Sequence, residues 1–250
     1  MPKTRFLIAC EARTGSNWLC GLLNSHPQVL CHHEVFHPDA LYYAAGFRDG
    51  RLAHLGPLAA RDHDPLDFAN RLFSADFGRA AVGFKLLAGQ APPLLAQLLA
   101  DRSVKKLILR RRSRVRAYVS LLRARETGRW AQRSYDGMAV HIEPSALVEF
   151  AQRYDDWYAG LRAATRTQPV RELVYEDLQQ EPGRIESALE FLEVGPAAAE
   201  LRPINERQSR DSLREAIGNL DELLCALRGT ELGAELLEHD ARHDHAGQAP

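Results

Sequence analysis

Long apolar runs are missing from this 250-residue sequence. No stretch approaches the roughly 18 consecutive apolar residues of a membrane span, and the run from Phe6 to Cys10 near the N-terminus is too short for the core of a secretory signal. A cytoplasmic protein is expected. Cysteine is sparse: Cys10, Cys20, Cys31 and Cys225 are widely spaced and form no C-x-x-C pair. That pattern argues against a disulfide framework or a thiolate metal cluster and for buried, reduced thiols. Internal repeats and low-complexity segments are also absent. Net charge is close to nil, −1, which speaks against a surface built wholly for nucleic acid.

The neutral total hides an asymmetry. Between Arg102 and Arg133 there are twelve Lys or Arg residues and one acid, Glu126, whereas residues 211–250 carry nine acids against three arginines. A basic block inside a neutral chain points to a local anionic ligand. Part of that block, Arg114, Arg116, Arg123 and Arg125, reads as a solvated helix face. With 45% hydrophobic and 26% charged residues the chain is long enough to bury a sizeable core, and a single domain over 1–250 is expected.

Strand and helix patterns alternate. "RFLIAC" (5–10), "VLC" (29–31), "AAVGFKLL" (80–87), "VKKLILR" (104–110) and "VRELVY" (170–175) read as buried strands. Helical spacing appears at 16–26, at 65–77 behind an Asp64-Pro65 start signal, at 92–102 behind two prolines, at 114–129, at 145–165 and at 182–194, and a helix is expected near Leu41 to Phe47. Strand followed by helix, repeated, implies an α/β fold with a parallel sheet flanked by helices. The tail from His239 to Pro250 is expected to fray, and the helix at 145–165 offers a face for a homodimer. In such a sheet ligands bind beyond the carboxyl ends of the strands.

Three features sit at that edge, the last of them the arginine cluster after "VKKLIL" (104–109). The first is His33-Glu34-Val35-Phe36-His37, which spells the H-E-x-x-H pattern of a zinc hydrolase. The pattern needs a helix to bring both imidazoles to one metal, and Pro38 pushes His37 out of helical backbone. The role of Glu34 then depends on what surrounds it in the fold, an exposed loop carboxylate being the plain alternative. The second is the turn Arg13-Thr14-Gly15-Ser16-Asn17-Trp18 between the first strand and its helix. Gly15 permits close backbone approach, Thr14 and Ser16 carry hydroxyls, and a helix N-terminus attracts anions, so the turn suits phosphate. It lacks the second glycine and the lysine of a Walker A loop.

Arg13-Thr14-Gly15-Ser16-Asn17-Trp18-Leu19 resembles the phosphosulfate loop of sulfotransferases that use 3′-phosphoadenosine 5′-phosphosulfate (PAPS). Arg112 and Ser120, eight residues apart after the middle strand with Arg111 as neighbour, resemble the same family's 3′-phosphate element. The chain is most similar to the bacterial branch that sulfates carbohydrates, over about residues 4–240 and most weakly over 41–80. The resemblance implies a P-loop-like nucleotide-binding fold and transfer of a sulfuryl group from PAPS to an acceptor hydroxyl of a carbohydrate or glycolipid, with no metal. It implies Arg13, Thr14, Gly15, Ser16, Asn17, Trp18, Arg111, Arg112 and Ser120 as nucleotide-binding residues, Trp18 being either core or adenine-facing. Arg13 would stabilise the breaking bond and Glu34 would be the general base, with a pKa raised toward neutrality. His32, His33 and His37 are open as acceptor ligands or as the base. Lys85 either contacts sulfate or acceptor or caps its strand, and Arg207, Gln208 and Arg210 resemble a late loop over the nucleotide. Two alternatives stand beside this reading: a zinc hydrolase through His33, Glu34 and His37, and a nucleotide-binding module without turnover.

Overall fold

Five parallel strands, β1 (Thr4–Cys10), β2 (Val29–His32), β3 (Ala81–Leu87), β4 (Val104–Arg110) and β5 (Val170–Val174), form one sheet in the order β2-β3-β1-β4-β5. This computed structural model describes residues 3–130, 135–181, 183–196, 201 and 211–244. Arg207, Gln208 and Arg210 lie outside the described residues. The described chain falls into two compact units, one of Met1–Arg110 with Ala159–Asn205, the other of Arg111–Tyr158 with Glu206–Pro250.

The first unit holds the whole sheet. The central strand β1 is apolar on both faces, Phe6 to Cys10 being fully buried, as a parallel strand covered on both sides must be. On one face, α1 (Ser16–Asn24) and α8 (Arg184–Phe191) pack Leu19, Cys20, Leu22 and Leu23 with Ile185, Ala188 and Leu189 into a single cluster. On the other, Phe73 of α3 (Pro65–Ser74) stacks on Phe84 of β3 at 5.2 Å. Gly83 is paired with Phe6, and a Cβ there would strike the Phe6 carbonyl and ring. The tight β1–β3 contact needs glycine at that point.

Several local signals act as expected. Asp64 accepts a hydrogen bond from the Asp67 N–H at 3.0 Å, with Pro65 opening α3. The helix expected over Leu41–Phe47 is instead one 3₁₀ turn at Ala45–Phe47, because Gly46 weakens helix and Gly50, at φ 89, turns the chain away. The stretch between β2 and α3 also contains α2 (Leu58–His63), which periodicity did not reveal. A short α7 (Tyr175–Gln180) begins directly at the end of β5.

The second unit is helical: α5 (Arg114–Thr127), the first part of α6 (Pro144–Thr165), α9 (Leu213–Ala216), α10 (Leu220–Ala226) and α11 (Glu231–Asp244). Helix α11 reaches Asp244, so the tail expected to fray from His239 begins as helix. The basic face of α5 is solvated only in part. Arg125 is exposed, but Arg114 binds Glu235 at 2.6 Å and Asp155 at 2.5 Å, and Arg116 donates to the Asp211 carbonyl at 3.1 Å. Arg123 is buried, 2% exposed, against the Asp211 carboxylate at 2.7 Å. Acids near the C-terminal end of the sequence neutralise Arg114 and Arg123 of the basic block.

Removing one member of a buried pair leaves an uncompensated charge. Asp211→Ala is therefore expected to lower stability by about 3 kcal/mol in urea unfolding, with Arg125→Ala close to neutral. Equal effects of the two would remove Arg123–Asp211 from the account of this unit.

Candidate functional site

The turn after β1 has the shape an anion needs. Gly15 at φ 85 is the N-cap of α1 and makes no side-chain cap bond. Its missing Cβ leaves room for the Tyr175 ring, into which any β-carbon would drive. Tyr175 in turn meets Trp18 edge-on, ring centroids 5.8 Å apart. Trp18 thus packs on the core cluster. Arg13 also has positive φ, 66, a conformation non-glycine residues rarely adopt, and such strain concentrates at ligand-binding turns. The Thr14 hydroxyl donates to the Glu11 carbonyl at 2.8 Å, which braces the turn.

At the carboxyl end of β3, Lys85 is the organising residue. Its side chain is 1% exposed. The ammonium donates to Asn17 Oδ1 at 2.6 Å and Ser16 Oγ at 3.2 Å, and pairs with Glu34 Oε1 at 2.9 Å. His33 Nδ1 lies 3.2 Å from Asn17 Oδ1. Ser16, Asn17, His33, Glu34 and Lys85 are therefore one cluster, drawn from the phosphate turn, the loop after β2 and the end of β3. Lys85 does more than cap its strand.

Glu34 is mostly buried, its side chain 19% exposed. Burial pushes its carboxyl up, but the charge and hydrogen bond of Lys85, then the hydrogen bond of Gln90, outweigh burial and hold it below the usual carboxylate range. The expected rise toward neutrality does not occur, because the residue that desolvates Glu34 on one side also supplies a positive charge. Lys85 is shifted upward in turn: burial opposes its charge, and the Glu34 carboxylate more than restores it.

Two further residues hold Glu34, and periodicity flagged neither. Gln90 Nε2 donates to Glu34 Oε2 at 3.0 Å. Arg61 of α2, 3% exposed, donates to the carbonyls of Val35 at 3.0 Å and His37 at 2.5 Å, clamping the loop just after Glu34. Gln90 stands at the ligand-binding edge by its place just after β3, a signal that could have found it. A buried arginine in an irregular stretch carries none.

The histidines separate. His32 is fully buried, accepts at Nδ1 from the Ala44 N–H at 3.2 Å, and burial drives its pKa down to about 3, so it is a neutral structural residue and not an acceptor ligand. His37 Nδ1 accepts from the Asp39 N–H at 3.2 Å. Residues 33–37 form a turn, which lacks the helical face a zinc hydrolase requires. Among the described residues no three His, Cys, Asp or Glu side chains are grouped to hold a metal, and no helix is long and apolar enough to cross a membrane. The cysteines are free. Cys10, Cys20 and Cys31 are buried, whereas Cys225 is exposed, against the expectation that all are buried. Burial pushes the Cys10 thiol up to about 12.

In the second unit, Ser113 caps α5 by accepting from the Arg116 N–H at 3.1 Å. The Arg111 backbone exchanges hydrogen bonds with the Tyr154 hydroxyl, 2.8 Å each way, which fixes the entry to the helix. Arg112 is exposed and Ser120 half-buried one to two turns into α5.

The Lys85–Glu34 pair has a pH signature. Glu34, with a depressed folded pKa, contributes stability above the ordinary carboxylate value of 4.5 that is lost as pH falls through the lower folded value. Lys85, with a raised one, contributes below 10.5 and loses it as pH climbs through the higher folded value. Glu34→Gln is expected to cost about 3 kcal/mol at pH 7 by leaving Lys85 buried and unpaired. In urea titrations the gap from wild type should stay constant from neutrality down to 4.5 and shrink below it. A gap independent of acid pH would contradict the pair.

No protein-family model matches the chain. It is 28% identical over 237 residues to nodulation protein H of Rhizobium meliloti, covering 89% of this chain and 91% of that one. It is 27% identical over 226 residues to nodulation protein H of Rhizobium tropici, covering 87% of each. Among solved structures, the crystal structure of a sulfotransferase from Alicyclobacillus acidocaldarius superposes with a TM-score of 0.52 at 18% identity, over 98% of this chain and 97% of that one. The chain is thus similar to nodulation protein H over most of both chains, and its fold is that of the solved sulfotransferase.

Proposed function

We propose that this protein transfers a sulfuryl group from PAPS to the hydroxyl of a carbohydrate or glycolipid, with Glu34 as general base. One observation carries the reading: Lys85 contacts the anion-binding turn, through Ser16 and Asn17, and the Glu34 carboxylate at the same time. A carboxylate within one ammonium's reach of a phosphate turn is where an acceptor hydroxyl must be deprotonated if it is to attack a group held there.

The turn suits the phosphosulfate end of the nucleotide. The start of α1, the Ser16 hydroxyl, Arg13 and the Lys85 ammonium supply donors and positive charge, and Gly15 leaves the backbone uncovered. Arg112 and Ser120 would grip the 3′-phosphate, a guanidinium forking two donors onto its oxygens, with Arg111 beside them. In the reaction the acceptor oxygen bonds to sulfur as the bond between sulfur and the phosphate oxygen breaks. The acceptor proton passes to Glu34, and 3′,5′-ADP leaves. Arg13 and Lys85 neutralise the charge that develops on the departing phosphate oxygen.

The carbohydrate class of the acceptor rests on the resemblance of the sequence to the carbohydrate-sulfating branch. That residues 1–250 act as one sulfotransferase-like domain, in the cytoplasm, without a metal and as a homodimer, belongs to the same proposal.

Saturating 3′,5′-ADP, at about 100 times its dissociation constant, should stabilise the fold by about 2.7 kcal/mol in a thermal-shift assay that EDTA does not change. The preference for 3′,5′-ADP over 5′-AMP should fall about 10- to 100-fold in Arg112→Ala and Ser120→Ala, the size of a lost charged hydrogen bond. With PAPS and a panel of oligosaccharides, mass spectrometry should show a product one sulfuryl group heavier. Glu34→Gln should lower turnover by about 10²- to 10⁴-fold while keeping nucleotide affinity. Nucleotide binding with no transfer to any acceptor would leave a binding module in place of an enzyme.

A further inference from the structure

The side-chain amide of Gln90 sits between two groups of fixed character. Its Oε1 accepts from the Leu87 backbone N–H at 3.0 Å, and its Nε2 donates to Glu34 Oε2 at 3.0 Å. The Leu87 N–H can only donate, so the oxygen end of the amide must face it, and the NH₂ end is thereby turned toward Glu34. The backbone that carries Gln90 is itself pinned: its N–H donates to the Leu87 carbonyl at 3.0 Å, and the next residue, Ala91, takes a left-handed conformation at φ 40 before Pro92 starts α4 (Pro92–Ala100). Next to it, the Ala88 N–H donates to the Cys10 carbonyl at 3.0 Å, tying the turn to the end of β1, from which the phosphate turn departs.

A carboxylate has about four acceptor positions, two on each oxygen. Lys85 takes one on Oε1 and Gln90 one on Oε2, at opposite ends of the group. Two donors on different oxygens fix the rotation of the carboxylate plane, which a single donor does not. We propose that Gln90 is a positioning residue for the reaction, holding the Glu34 carboxylate in the one orientation that leaves its remaining lone pairs for the acceptor hydroxyl. This rests on the reading of Glu34 as the general base.

The charged and titratable groups around Glu34 are Lys85 on β3 and the loop neighbours His33 and His37. Gln90 is the neutral member of the set, so replacing it alters alignment and one hydrogen bond without removing a charge. Its donation favours the ionised carboxylate, and its loss should move the acid limb of the rate profile to higher pH.

The test uses Gln90→Met, close in size but without a donor, and Gln90→Glu, which keeps an acceptor for Leu87 and turns a carboxylate toward Glu34. Both are measured in single-turnover reactions with PAPS and an acceptor, in the wild-type and the Glu34→Gln backgrounds. In the wild-type background each should slow the transfer step about 10- to 100-fold and shift the acid limb upward in pH, further for Gln90→Glu, with affinity for 3′,5′-ADP unchanged. In the Glu34→Gln background Gln90→Met should have little further effect, since residues acting through one another are not additive. Wild-type rate and pH profile in both variants, or an equal loss from Gln90→Met in both backgrounds, would overturn the positioning role. Near-native turnover in Glu34→Gln alone would overturn the base assignment itself.

Discussion

One buried ammonium organises the carboxyl edge of the sheet. Taking a lysine out of water costs several kcal/mol even after relaxation, and the burial persists only where oxygen acceptors surround the charge. Lys85 has three, Ser16, Asn17 and Glu34, contributed by two other segments of the chain. The strand order is what makes this arrangement available. Because β3 is inserted between β2 and β1, a side chain at its carboxyl end meets the loop leaving each neighbour. Had β2 paired directly with β1, as strands adjacent in sequence often do, Lys85 would reach one of those loops and not both.

Around that charge the supports are rigid and come from separate elements. Arg61 fixes the two carbonyls that follow Glu34, Gln90 fixes its second oxygen, and Tyr175 fills the space that glycine leaves at position 15. Beneath them, Phe36 packs on Phe84 at 5.3 Å and on Phe68 at 5.9 Å, so the loop carrying Glu34 is anchored in the core by its own aromatic side chain. A group held in this way loses little further freedom when substrate arrives, and that is how a site built on packed elements gains rate.

Much of this was legible in the residues. The strands are continuous apolar runs and the sheet is parallel, so the edge that binds ligands followed from strand-then-helix order. The turn from Arg13 to Trp18 announced itself by glycine and hydroxyls at a helix start. The stretch from Leu41 to His63 was opaque, since its two 3₁₀ turns, at Ala45–Phe47 and Ala53–Leu55, and the six-residue α2 are too short to show periodicity. Charge was misread for a related reason: a sequence shows that Arg123 is basic but not that Asp211, 88 residues away, neutralises it. The pKa of Glu34 failed the same way, because its shift depends on Lys85, which is distant in sequence and adjacent in space.

On the proposed reading of Glu34 as the general base, its depressed pKa decides what kind of base it is. A carboxylate held by Lys85 and Gln90 is ionised at every physiological pH, so none of the enzyme is idle for want of the correct protonation state. The same interactions make it a weaker proton acceptor, and it cannot drive deprotonation of an alcohol ahead of bond formation. Proton transfer has to follow the attack, when sulfur already draws charge from the acceptor oxygen and its proton has become acidic. The barrier is then lowered mainly by alignment and by neutralising the leaving phosphate. Lys85 serves both ends of that process. On that reading the ammonium, in contact with the turn through Ser16 and Asn17 and with Glu34 at once, lies between the departing phosphate and the base.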